Sequence, residues 1–310
     1  MPSSIAVVLL SAWMTVASYS ASVPIYNVAR LIRVSPESYR NFTAYEGPQV
    51  TIETRRVLHG DSPVSIVEVS NDDTGFKQNM IVSVAGGATI FCPAYRLSGA
   101  DRQSLTEVSS YAMYRSFTYV GQLKITVTSS DEFVFASEFS HAIESDFITK
   151  MNKYVGILDM GINSDFIKAV GGRFILSTTS DTLTIRIGEQ NVNGFIFVPI
   201  VEMYNGFVVR GSINEALLVD VILDSTSEHN FMITRNMLGF FTEKVPIISL
   251  RFCGYTFSFR QYAVSEDTVT KDLIVILNPA SLRNVDMMFD ALHGGRIGLR
   301  KSWPSLPVPS

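Results

Sequence analysis

Extended runs closed by turn clusters follow one another through this sequence, and that rhythm constrains the fold more than any other feature. Val64-Ser65-Ile66-Val67-Glu68-Val69 ends in Ser70-Asn71-Asp72-Asp73-Thr74-Gly75, after which Asn79-Met80-Ile81-Val82-Ser83-Val84 resumes extended structure. β-Branched and alternating runs bounded by Gly, Asn, Asp and Ser read as strand, turn and strand. The pattern returns at 121–127, 132–136, 182–187 and 195–199. Across 216–223 the chain is apolar except at Asp220, as suits a strand buried on both faces. Helical pattern is scarce. Residues 280–284 predict one short helix, and Phe139, Ile143 and Phe147, each four apart, predict another. Many short strands with frequent turns predict an all-β sandwich or barrel.

The 310 residues suffice for two domains with a sizeable core. A hydrophobic share of 46% against 17% charged describes a globular chain, not a disordered one. With a formal net charge of −4 and no run of Lys or Arg, a nucleic-acid partner is not expected.

Residues 5–14 form an uncharged apolar run too short to span a bilayer, and small residues follow up to Ser20. This predicts a signal peptide over 1–20 and a secreted protein, with a buried N-terminal strand as the competing reading. No later segment reads as a transmembrane anchor. Residues 21–62, carrying Arg30, Arg33, Arg40, Arg55 and Arg56, are more basic than the rest and are expected to be a separate, propeptide-like leader. Asn41-Phe42-Thr43 is a glycosylation acceptor in a secretory setting. Two cysteines, Cys92 and Cys253, allow one bridge by arithmetic without requiring it. His59, His141, His229 and His293 are scattered without metal-ligand spacing, and no metal or cofactor is expected.

The C-terminal third carries a more specific pattern. Ile276-Leu277-Asn278, then Leu282-Arg283-Asn284, then Phe289-Asp290, then Arg296-Ile297-Gly298 resembles the closing signature of pepsin-like aspartic proteases. Gly156-Ile157-Leu158-Asp159-Met160-Gly161 is similar to the corresponding signature of that family's first lobe. Phe174-Ile175-Leu176-Ser177 through Gly188, followed by Phe197-Val198-Pro199-Ile200 and Tyr204, resembles the passage into its second lobe. The likeness covers about 64–302. It implies two pseudo-symmetric β lobes, 63–176 and 177–310, with a peptide-binding cleft between them and one catalytic aspartate from each.

That chemistry needs two carboxylates at close range sharing one proton, since two like charges so near cannot both ionise. The second-lobe motif is Ile222-Leu223-Asp224-Ser225-Thr226-Ser227, with Thr226 where the family has glycine. A β-branched residue suits a glycine conformation poorly. The first-lobe motif aligns on Val82-Ser83-Val84-Ala85-Gly86-Gly87 through Pro93, which sets the aspartate position on Val84. A shifted alignment would recruit Asp72, Asp73 or Asp220 instead, but the first two lie in a turn and the third is on the same strand as Asp224. Tyr114 falls at the flap tyrosine, although Arg115-Ser116-Phe117 replaces the Gly-Thr-Gly expected beside it. Asp159 and Asn278 replace glycines, and both types tolerate left-handed backbone. These residues imply a non-hydrolytic homologue binding a peptide or protein in its cleft. An active endopeptidase, and a structural or inhibitory protein acting through its outer surface, are the alternatives.

Overall fold

Strand alternation becomes burial most plainly in the segment Glu132–Ser145, where Phe133, Phe135, Ser137, Phe139 and His141 are buried. Phe139 and Ile143 therefore lie on a strand rather than on the helix their spacing predicts, and Phe147 is outside the described residues. A spacing of four is also twice the strand period, so it suits one face of a strand as well as one face of a helix. The chain is seen in a computed structural model that describes residues 42–43, 45–59, 62–86, 88–91, 107–111, 114–128, 131–145, 156–179, 183–189, 191–201, 206–227, 229–241, 247–265, 273–292 and 294–302.

The fold is all-β. In chain order the first strands are β1 (Val50–His59), β2 (Ser62–Asn71), β3 (Phe76–Ser83), β4 (Thr89–Phe91), β5 (Glu107–Tyr111), β6 (Tyr114–Thr126), β7 (Glu132–Ser145) and β8 (Gly156–Asp159). A short helix α1 (Asp165–Ala169) follows, started by Ser164, whose Oγ accepts the Ile167 N–H at 3.1 Å. Then come β9 (Arg173–Thr178), β10 (Leu183–Ile187), β11 (Ile196–Pro199), β12 (Val208–Ile213), β13 (Leu217–Leu223), β14 (Phe231–Thr234), β15 (Ile248–Phe252), β16 (Tyr255–Phe259), β17 (Ala263–Ser265), β18 (Ile274–Leu277), β19 (Val285–Asp290) and β20 (Arg296–Lys301). The helix expected at 280–284 is only a 3₁₀ turn, Pro279–Ser281.

Two units share one strand order. In the first, β2–β3 is antiparallel, β3–β8 parallel, β8–β4 antiparallel and β4–β7 parallel. In the second, β12–β13, β13–β18, β18–β14 and β14–β17 repeat those four relations in the same sequence. The first unit curls until β2 pairs with β6, giving a barrel-like closure. Between the units runs an antiparallel sheet in the order β11–β20–β19–β9–β10–β1. One face of its central pair carries Phe174 and Phe289, stacked at 4.9 Å, with Phe207 edge-on to Phe289 at 4.7 Å. The other face carries Asp286 and Asp290, held by Arg186 and Arg300 and by Arg173 and Arg296 respectively.

The expected leader 21–62 does not stand apart over its last part. Residues 50–54 of β1 pair with β10 and residues 55–59 with β2, and Ile52 is wholly buried. Strand β9 likewise crosses the expected lobe boundary at 176/177. Among the described residues no helix is long and apolar enough to cross a membrane.

Candidate functional site

The repeated strand order supplies an internal ruler for the two motif turns. In the second unit Leu223 is partnered with Leu277 across β13 and β18, so Asp224 lies opposite Asn278. The Asp224 N–H donates to the Leu277 carbonyl at 2.9 Å. In the first unit Val82 is partnered with Leu158 and Ser83 with Asp159. Leu158-Asp159 and Leu277-Asn278 are matching pairs, because the N–H of Gly161 reaches Asp159 Oδ1 at 2.8 Å just as that of Ala280 reaches Asn278 Oδ1 at 2.9 Å. The counterpart of Asp224 is therefore Ser83, and that of Ser225 is Val84. This corrects the sequence alignment by one residue.

Contacts between the units agree with the corrected register. Ser225 Oγ donates to the Val82 carbonyl at 2.6 Å and accepts the Val84 N–H at 3.1 Å, so it grips both neighbours of Ser83. Val84 has no hydroxyl with which to return the grip. Gly206 packs against the same turn: a Cβ there would sit 2.7 Å from the Ala85 carbonyl oxygen, so a larger residue would push the units apart.

Asp224 is 1% exposed, and its Oδ1 accepts both the N–H and the Oγ–H of Thr226 at 2.7 Å. Burial pushes its carboxyl up to about 6, against the opposing effect of donors from Thr226 and Ser227. Thr226 is not a misfit here. Its φ is not positive, and its side chain and backbone both serve Asp224. Asp159 and Asn278 do not use left-handed backbone either, since Asn278 has φ −79° and Asp159 is not among the positive-φ residues. Both cap a turn through the side-chain oxygen. Asp159, buried, is also pushed up to about 6 by desolvation.

Asp72 and Asp220 are engaged in ion pairs elsewhere. Asp72 pairs with Lys124 in the β2–β3 turn, at the end of β3 away from Ser83, where Asp72, Asp73, Gln122 and Lys124 line a shallow hollow. Asp220 pairs with Arg210 at 2.8 Å. Tyr114 opens β6 and is partnered with Tyr111, the last residue of β5. The Tyr114 side chain, Asn41, Cys92, Tyr204 and His293 lie outside the described residues. Cys253 is buried and free, with its thiol pushed up to about 12 by burial. His141 stacks on Phe76 at 4.7 Å, and its burial lowers its pKa. Among the described residues no three His, Cys, Asp or Glu side chains gather into a metal site.

Sequence reading missed Ser83, the bridging role of Ser225 and the pairing of Thr226 with Asp224. The first two depend on strand register between distant segments, which no local spacing reveals. The signal for Thr226 was present, since a hydroxyl two residues after a carboxylate suits a local Asx-type turn. The sequence matches no family model, and no curated protein matches it.

Proposed function

We propose that the chain is a two-lobed homologue of the pepsin-like aspartic proteases that does not hydrolyse peptides and binds an extended peptide or protein segment between its lobes. The observation that carries this reading is the inequality of the two matched turns: Asp224 in one and Ser83 in the other. A serine hydroxyl cannot share a proton with Asp224 on equal terms, because its acidity lies far outside the carboxyl range. A water between them would lack the base that a second carboxylate provides. The turn that holds Asp224 and the grip of Ser225 are nevertheless intact, which suits a site kept in shape for binding. Export directed by residues 1–20 belongs to the same reading.

Hydrolysis of a denatured protein, followed across acid pH with and without a statine-type inhibitor, tests the loss of activity. The proposal expects no inhibitor-sensitive turnover, and such turnover would reject it. Binding is tested by fluorescence polarisation with a labelled extended apolar hexapeptide. Capture that weakens when a bulky residue replaces Gly206 supports a site between the lobes, whereas unchanged capture points to the outer surface.

A further inference from the structure

Asp224 sits where a charge has little support. The donors to its carboxyl, the N–H and Oγ–H of Thr226 and the N–H of Ser227, lie in its own turn, and among the described residues none comes from the other unit. Across the seam the first unit presents Ser83, Val84, Ala85 and Gly86, none of which is a cation. The neighbouring strand ends add Asn278, which is neutral, and Asp159, which is acidic, while the cation that reaches this turn, Arg56 of β1, is bonded to the Ala280 carbonyl at 3.0 Å. His229 follows in the same segment, where its N–H donates to Ser227 Oγ. Phe207, whose carbonyl accepts the Leu223 N–H, is apolar. Glu202 and Glu228 are outside the described residues. Ser225, next to Asp224, grips the opposite unit beside the contacts that Asn278 makes with Ser62 and Pro63, so any outward shift of Asp224 to reach water pulls on the Ser225 grip.

We propose that this seam is an acid-set latch: a neutral Asp224 carboxyl keeps Ser225 seated on Val82 and Val84, and ionisation of Asp224 releases it. The latched state holds its proton more tightly than an opened state in which Asp224 meets water, so lowering the pH favours the latch and raising it favours opening. The upward displacement of the Asp224 carboxyl to about 6 supports this direction. The latch belongs to the seam itself and does not depend on what occupies the cleft.

Hydrogen exchange at the Val84 amide, the donor to Ser225 Oγ, reads the latch directly in the full chain. If opening restores Asp224 to ordinary carboxyl behaviour, protection of that amide falls on the order of fiftyfold between about pH 4 and about pH 7.5, after correction for intrinsic exchange. Amides of the β9–β19 pairing, away from the turn, serve as the reference. Asp224→Asn keeps an oxygen for Thr226 and cannot ionise, so Val84 protection should stay level with pH. Asp159→Asn should leave the fall in place. Level protection in the unaltered protein overturns the latch, as does a fall that survives Asp224→Asn or disappears in Asp159→Asn.

Discussion

Asp159 and Asn278 hold the same position in the two units and make the same turn-capping hydrogen bond, yet only one of them can carry a charge. The acidic residue is thus distributed differently in each unit: Asp224 beside Asn278 in the second, Ser83 beside Asp159 in the first. Because burial raises the Asp159 carboxyl to about 6, folding favours its neutral form. Its contribution is most favourable below the ordinary carboxyl pKa of 3.8 and is lost as pH rises from there through about 6. Asp159→Asn copies what the second unit already uses. It should raise stability at neutral pH by up to ~3 kcal/mol and change little near pH 3. Urea denaturation at the two pH values checks this, and equal effects at both would contradict it. Neither capping role was legible in the sequence, where the two residues read as stand-ins for left-handed glycines. A side-chain oxygen that accepts from the second residue on accounts for both without that conformation.

Among elements, the strands were the most legible, because alternation over five or more residues has one economical reading. The expected runs at 64–69, 121–127, 182–187 and 195–199 fall largely on β2, β6, β10 and β11. The helix α1 was missed because five residues are too few for a period to declare itself, although Ser164-Asp165 is a usable start signal. Ser164→Ala should cost about 1 kcal/mol, read by chemical denaturation, and no loss would mean that packing of Phe166 and Ile167 alone holds the turn. The central sheet depends on a charged layer that periodicity could not show. Asp286 accepts from Ser177, Arg186, Arg300 and Ser302, and that company holds its carboxyl below the ordinary range despite burial. Its contribution is present above the ordinary carboxyl pKa and is lost as pH falls through its lowered value. Asp286→Ala strands two guanidinium groups and should cost about 2–4 kcal/mol at neutral pH, with the deficit shrinking in strong acid. A deficit independent of pH would assign the loss to packing instead.

In the molecule as a whole, two units of the same strand order meet through Ser225 on Val82 and Val84 and through Asn278 on Ser62 and Pro63. Composition and turn spacing made the all-β class legible. The turn around Asp224 was legible as well, because a carboxylate followed by three hydroxyl residues, Ser225, Thr226 and Ser227, stands out in the sequence. Its partner was not, since Ser83, Val84 and Ala85 share no residue with Asp224, Ser225 and Thr226, leaving no side chain to fix the alignment. Only pairing of β3 with β8, set beside pairing of β13 with β18, supplies the missing register. That register can be tested without relying on catalysis. Carbon-detected NMR titration of the Asp224 carboxyl in Ser83→Asp should show two coupled steps, one above and one below the value near 6, because two facing carboxyls cannot both ionise freely. An Asp224 that titrates in Ser83→Asp as it does in the unaltered protein, or that couples instead to the new carboxyl of Val84→Asp, would contradict it.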